Sequence, residues 1–331
     1  MYNLVYMAKP IYGGWVSYTA HMSLKYDYPI HKIGKRTEKN MRDFGYMTKY
    51  RNLNIDELIK KDNLMIVALD KHYYEYLKYF PKGTQLVIHD PTELKSKENP
   101  LIKDKLIDNF DIITIRQTVK DYLKNTYDIE SQFQTHPFYR YEKNKDSMNN
   151  YAVSISRIDF DKNTDIILKC NNLIVDDKCN NPMDKCNNPM DKRVKIFGKE
   201  NRLYVHHKLK DLNFHDYWYG SYPKNLPMTY NSGIPEKGNN LDILKDCKFM
   251  VDLSTIKNDG GGTQYTFLEA IYNNCILVLH REWINKGDLF VENENCLAVK
   301  DEYELRDILM DIRQYDRDKI VKNARKILDD H

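Results

Sequence analysis

Short apolar runs of strand length recur along the first half of the chain and alternate with segments of helical spacing. The apolar runs cover residues 4–7, 64–69, 85–89 and 111–115, and the helical segments cover residues 15–24, 72–79 and 119–124. This alternation predicts a parallel β-sheet with helices on both faces.

A second series of apolar runs follows a break in the pattern. Residues 138–150 are polar and aromatic without apolar periodicity, which predicts a linker. The later runs cover residues 151–155, 194–197, 249–253 and 276–279, and residues 305–312 and 320–328 are amphipathic at helical spacing. We therefore predict an α/β protein with domains at 1–145 and 150–312, and a C-terminal helix at 313–331 that packs back across the linker.

Composition narrows the class of protein without fixing a partner. The chain has 331 residues, and 51 basic against 48 acidic residues give a net charge of +3, so binding to a polyanion would have to be local. The start of the chain lacks a signal-peptide pattern and no run approaches a membrane span, which predicts a soluble, intracellular (cytoplasmic) protein.

The six cysteines include no CxxC pair, so we expect reduced thiols. The heptapeptide CNNPMDK occurs twice in tandem at 179–192, and its expected role is only that of a tolerant surface loop.

Residues 259–280 combine a glycine run, an apolar helix and a strand-like run. Gly260, Gly261 and Gly262 would let the backbone approach a ligand closely, and the free amides of a helix N-terminus favour an anion. Glu269, about one turn into the helix, would accept hydrogen bonds from the two hydroxyls of a ribose. Together these features predict a nucleotide site; a flexible loop before an ordinary helix is the alternative.

Two cations follow the first strand of the second series. Arg157 and Lys162 would hold a diphosphate, the arginine as a planar fork and the lysine as a point charge. The alternative is a pair of solvated charges in a loop. Asp159 and Asp161 also form a D-x-D pattern that occurs in metal-binding motifs, but its place at the start of the second half argues against that interpretation.

In the first half, candidate residues follow two strands. Gly13 and Gly14 lie in the turn after the first apolar run, where a backbone amide would reach a phosphate or a sugar. His89 and Asp90 end another run, and an imidazole beside a carboxylate can position a sugar hydroxyl and stabilise developing positive charge. A capping aspartate with a locally satisfied histidine is the alternative.

These motifs together resemble the retaining glycosyltransferases of the GT-B fold, in which two Rossmann-like domains face each other across a cleft. The resemblance spans nearly the whole chain and includes residues 290–309. It implies that the cations bind the diphosphate of a nucleotide-sugar donor, that the glutamate binds the ribose, and that no metal or other cofactor is required. The implied catalytic residues are His89 and Asp90, and the implied donor-binding residues are Gly13, Gly14, Arg157, Lys162, Gly262, Thr263, Gln264, Tyr265, Thr266 and Glu269.

The chain departs from the family pattern at one position. The family usually carries a second glutamate eight residues before the ribose-binding one, and Gly261 stands there. We therefore expect backbone amides of residues 261–264 to replace the contacts of that glutamate with the donor sugar.

Local similarity within the family is to the phage DNA α-glucosyltransferases, through residues 5–19, the VIHD segment and QYTFLEA. This similarity implies a virus-encoded enzyme that acts in a host cell and transfers glucose from UDP-glucose to a flipped hydroxymethylated base in double-stranded DNA. Lysines around residues 95–105, with Arg116 and Lys120, form a basic patch that would meet DNA phosphates. A glycan, lipid or protein acceptor remains the alternative, as does a non-catalytic protein that only binds a sugar nucleotide.

Overall fold

The structure is a computed structural model. It describes residues 1–9, 14–90, 94, 99–141, 151–180, 191–220, 243–245, 247–255, 263–286 and 289–331. Of the predicted site residues, Gly13 and Gly262 lie outside this set, as do Gly260, Gly261, most of the tandem heptapeptides, and Lys95 and Lys97 of the basic patch.

The first half forms one sheet of eight strands within the described residues, in the order β3-β4-β2-β1-β5-β6-β7-β8. Neighbouring strands run parallel except β3 and β4, which are antiparallel. The strands are β1 Asn3–Met7, β2 Ile30–Ile33, β3 Arg42–Gly45, β4 Thr48–Leu53, β5 Leu64–Leu69, β6 Thr84–Ile88, β7 Phe110–Thr114 and β8 Gln132–Phe133.

The second half forms a sheet whose five described strands are all parallel, in the order β10-β9-β11-β12-β13. The strands are β9 Ala152–Ile155, β10 Val194–Phe197, β11 Phe249–Asp252, β12 Ile276–His280 and β13 Leu297–Val299.

Helices connect the strands in both halves. A 3-10 helix occupies Lys71–Tyr79, where the sequence pattern predicts a helix but does not distinguish an α-helix from a 3-10 helix. Further 3-10 turns cover Leu106–Asn109 and Ile327–Asp330. The α-helices are α1 Gly14–Tyr26, α2 Ile55–Leu58, α3 Pro100–Lys103, α4 Gln117–Tyr127, α5 Thr164–Asn180, α6 Arg202–Tyr204, α7 Phe214–Tyr217, α8 Tyr265–Tyr272, α9 Arg281–Lys286, α10 Glu302–Leu309 and α11 Arg317–Lys326.

Apolar side chains explain why these elements pack as they do. Along β5, all six residues are buried, as expected for a strand covered on both faces. The helices α4, α10 and α11 instead bury one stripe each, with Leu123, Leu305 and Ile320 among the buried residues.

One core cluster joins the two halves. It includes Tyr18 and Ala20 of α1 together with Tyr265 and Leu268 of α8. The first residues of the predicted linker also belong to this cluster, since Phe138 and Tyr141 are buried in it. The aromatic residues at the start of the predicted linker thus pack in the core between the two halves.

The end of the described chain returns to the first half. The Asp329 carboxylate lies 3.1 Å from the Arg140 guanidinium, and the Thr135 hydroxyl donates to the Asp330 carbonyl at 2.5 Å. The exact domain boundaries stay a prediction. None of the described helices combines the length and the apolar character that crossing a bilayer requires.

Candidate functional site

The loop after β9 carries both predicted diphosphate-binding cations. The Arg157 side chain is 66% exposed, and its guanidinium lies 3.1 Å from an oxygen of Asp159 and 3.7 Å from one of Asp161. Both aspartates of the D-x-D pattern therefore pair with a cation of the same loop. A diphosphate arriving here would compete with these carboxylates for the arginine.

Lys162 is the more enclosed of the two cations, with only 13% of its side chain exposed. Its Nζ donates to Ser254 Oγ at 2.9 Å and lies 3.6 Å from Asp161. Ser254 in turn donates from its hydroxyl, and from its backbone N–H at 2.9 Å, to the same Asp252 oxygen. Because Asp252 and Ser254 are buried at the carboxyl end of β11, they fix the position of the ammonium group.

Hydrogen bonds join the loop after β9 to the loop after β11. The Asn163 side-chain amide donates to the Leu253 carbonyl at 2.9 Å, and the Thr255 N–H donates to the Asp161 carbonyl at 2.8 Å. The Trp283 indole N–H donates to the Ser254 carbonyl at 2.9 Å, and its ring packs 5.3 Å from Phe267. This chain of contacts joins Lys162 to α8.

Gly198 marks a close approach at the end of β10. Its φ is +153°, and a Cβ there would lie 1.7 Å from the Ser156 carbonyl oxygen. Only glycine fits, so the loops after β9 and β10 touch at this point. Sequence reasoning did not identify this residue, although a glycine directly after a strand was a usable signal.

The start of α8 presents the other predicted donor contacts. Gln264 is the N-cap and makes no side-chain capping bond, and the first turn contains no acidic residue. Of the neighbouring candidates, Thr263 and Tyr265 are buried, whereas Gln264 and Thr266 are half-buried. A helix start of this kind has unpaired amides that favour an anion.

Glu269 lies one turn into α8 and is fully buried. Burial raises the pKa of both the Tyr141 and Tyr265 phenols well above their ordinary value, and the nearby Glu269 charge raises each further. The carboxylate therefore lies near the aromatic contact between the halves.

At the carboxyl edge of the first sheet, His89 follows β6. Its Nε2 lies 2.8 Å from the Val67 carbonyl oxygen, and because a carbonyl only accepts, Nε2 carries the proton. Burial lowers the pKa of His89 to about 4, an effect that the Val67 bond partly opposes and Arg116 reinforces. The imidazole is therefore neutral at pH 7, with the rings of Tyr18 and Trp15 packed edge-on at 4.9 and 6.5 Å.

His136 follows β8 and is buried. Burial lowers its pKa well below the ordinary value, and the charges of Arg116, His89, His331 and His21 lower it further. Its ring also packs 5.4 Å from Tyr265 at the start of α8. His136 is thus a buried histidine that packs against the start of α8, and the sequence did not single it out.

Two other predictions have less support in the geometry. Gly14 begins α1, and a Cβ there would meet nothing within 4 Å, so space among the described residues does not require glycine. Asp90 is half-buried beside His89, whose pKa its charge raises. Within the described ranges, no three His, Cys, Asp or Glu side chains are grouped so as to hold a metal ion.

Comparison with known proteins gives similarity at the level of structure. No protein-family model matches the sequence, and no curated protein matches it significantly. An α-glucosyltransferase in complex with UDP and a 13-mer DNA containing an HMU base is 13% identical, with a TM-score of 0.63 over 100% of this chain and 95% of that one.

Two further structures extend this comparison. Anabaena HepE in complex with UDP-glucose is 12% identical, with a TM-score of 0.57 over 99% of this chain and 94% of that one. The pneumococcal O-GlcNAc transferase GtfA in complex with UDP and GlcNAc is 11% identical, with a TM-score of 0.51 over 88% and 59% of the two chains. At these identities the similarity establishes the fold: the chain has the GT-B fold, with two Rossmann-like sheets, and the predicted fold class is confirmed.

Proposed function

We propose that the protein is a glycosyltransferase that uses a UDP-sugar donor. The observation that carries this proposal is the Lys162–Ser254–Asp252 network, which holds a nearly enclosed ammonium group at the carboxyl edge of the second sheet, next to the start of α8. Ligands of open α/β sheets bind at that edge. Solved structures of the same fold contain UDP or UDP-glucose, which fits a diphosphate-binding role for this edge.

The donor would bind with its diphosphate between the two cations and the start of α8. Arg157 and Lys162 offset the charge that grows on the departing UDP, and the amides around Thr263–Thr266 face the phosphate oxygens. Glu269 accepts hydrogen bonds from the two hydroxyls of the ribose. Arg157 is the adaptable partner because it is exposed and exchanges its carboxylates for phosphate oxygens.

The sugar would lie against the first sheet. His89 is neutral and donates from Nε2 to the Val67 carbonyl, so its imidazole positions the sugar and does not supply a proton to the leaving group. Asp90 stabilises positive charge on the reacting sugar. The bond from the anomeric carbon to the phosphate oxygen breaks, the bond to the acceptor oxygen forms on the same face, and a phosphate oxygen takes the acceptor proton.

For the acceptor we propose a hydroxymethylated base in DNA, with glucose as the transferred sugar. Support comes from the α-glucosyltransferase with bound DNA, which matches this chain over its whole length. A second candidate is a protein or saccharide acceptor, since GtfA is an O-GlcNAc transferase of the same fold. Both acceptors use the same donor site.

The test incubates the protein with radiolabelled UDP-glucose and either hydroxymethylated or plain duplex DNA. We expect label on the modified duplex alone. Transfer to a saccharide or protein and none to modified DNA would move the proposal to the second acceptor. Donor binding without transfer to any of them would identify a sugar-nucleotide-binding protein without catalysis.

A further inference from the structure

The imidazole of His331 is hydrogen-bonded to Thr263, which lies immediately before the N-cap of α8. His331 Nε2 lies 2.8 Å from Thr263 Oγ1, across 68 positions of sequence. Both residues are buried, with 7% and 4% exposure. The contact therefore lies beside the helix start where the donor diphosphate is proposed to bind, although the sequence analysis did not include His331 in the site.

The backbone around His331 is attached to the first half of the chain. Lys25 of α1 donates from Nζ to the His331 carbonyl oxygen. Thr135 donates to the Asp330 carbonyl, and Arg140 pairs with Asp329. His331 is thus held by the first half through its main chain and contacts the second half through its side chain.

The imidazole is uncharged at neutral pH. Burial lowers the pKa of His331 to about 4; Asp330 opposes this effect and the ammonium of Lys25 adds to it. His136 also lies within electrostatic range. A neutral imidazole can donate one hydrogen bond from Nε2, and a threonine hydroxyl that accepts it keeps its own proton for another acceptor.

We propose that His331 is a positioning residue for the donor. By donating from Nε2 to Thr263 Oγ1, it turns the hydroxyl proton of Thr263 toward a phosphate oxygen of the bound nucleotide. His331 acts through Thr263 and does not touch the donor. This inference rests on the proposed donor site.

The experiment measures UDP-glucose affinity by calorimetry, together with kcat and KM, for five variants. They are His331→Ala, His331→Gln, Thr263→Val, the double variant His331→Ala/Thr263→Val, and Asp330→Ala as the matched control in the same turn. An oriented hydrogen bond of this kind corresponds to about 3- to 10-fold in affinity. We expect His331→Ala and Thr263→Val each to weaken donor binding by that factor, mainly through KM, and the double variant to be no weaker than Thr263→Val.

The glutamine variant separates positioning from folding. Its side-chain amide can reach Thr263 as Nε2 does, so His331→Gln should recover most of the affinity, and Asp330→Ala should bind like the unmodified protein. Unchanged affinity of His331→Ala, or losses that add in the double variant, would overturn the inference. If His331→Ala does not fold, His331→Gln and Thr263→Val decide it: wild-type affinity in Thr263→Val would also overturn it. Absence of any binding heat with the unmodified protein would instead overturn the proposed function.

Discussion

The carboxyl edges of the two sheets carry different chemistry. The edge of the second sheet concentrates charge: Arg157 and Lys162 pair with Asp159 and Asp161, and Ser254 links Lys162 to Asp252. The edge of the first sheet buries neutral imidazoles among aromatic rings, with His89 and His136 as examples. The difference fits the proposed function, in which the edge of the second sheet binds the donor diphosphate and the edge of the first sheet binds the uncharged sugar.

The largest effect is expected from removing Lys162 at the carboxyl edge of the second sheet, here called the charged edge. We expect Lys162→Ala to lower kcat/KM for the donor by about 100-fold or more, because an enclosed, preorganised cation at a leaving group contributes on the order of 3 kcal/mol. Steady-state kinetics with UDP-glucose measures the effect. Lys169→Ala, which removes a lysine paired with Asp165 on α5, is the matched control and should be neutral. Activity near the unmodified level in Lys162→Ala would end the proposed assignment of this edge.

The next largest effect concerns Glu269. Glu269→Gln keeps the shape of the side chain and removes its charge, so we expect the KM for UDP-glucose to rise about 10- to 50-fold as hydrogen bonds from the ribose to a charged group are lost. Because Glu269 is buried, the thermal midpoint is recorded in parallel. A lower midpoint with unchanged KM would assign Glu269 to packing between the halves and not to the donor.

A smaller effect is expected from removing the hydroxyl of Ser254, which accepts a hydrogen bond from Lys162. Ser254→Ala removes the hydroxyl that links Lys162 to Asp252, so the ammonium loses its fixed position while its charge remains. We predict about a 5-fold loss in kcat/KM, in line with one hydrogen bond. The same loss in a Ser254→Ala/Lys162→Ala double variant as in Lys162→Ala alone would show that the serine acts through the lysine.

The smallest expected effect tests through pH a further buried imidazole, that of His21 in α1, which stacks on the rings of Phe138 and Tyr265. Burial lowers the pKa of His21 to about 3, below an ordinary value of about 6.5. The unfolded chain therefore binds the proton first, and stability falls as pH drops below about 6.5. His21→Leu should flatten this dependence by about 1 kcal/mol between pH 6.5 and 5.5 in urea unfolding. An unchanged slope in His21→Leu would contradict this prediction.

Sequence patterns predicted the continuously apolar strands well and the strands that contain charged residues poorly. LMIVAL is apolar throughout and becomes β5, buried at every position. The strand IHKI, β2, was missed because it contains a lysine and a histidine. Lys32 is nevertheless buried there, with its ammonium 5.1 and 5.5 Å from the rings of Tyr6 and Tyr50. A cation–π arrangement of this kind depends on tertiary neighbours that a linear pattern does not show.

The same limit applies to the candidate site. Arg157, Lys162 and Glu269 could be nominated from their chemistry and their place after a strand or within a helix. Ser254 lies 92 positions from Lys162, and His331 lies 68 positions from Thr263. Nothing local distinguishes these partners from other serines and histidines, because their roles come from contacts that only the folded chain makes.

Calorimetric titration of the intact protein with UDP-glucose tests the central claim most directly, since the claim is that the charged edge of the second sheet binds a nucleotide diphosphate. We predict saturable heat for the unmodified protein, a strong reduction in Lys162→Ala, and full binding in Lys169→Ala. Equal binding in the unmodified protein and Lys162→Ala, or no heat with UDP-glucose at all, would contradict the account.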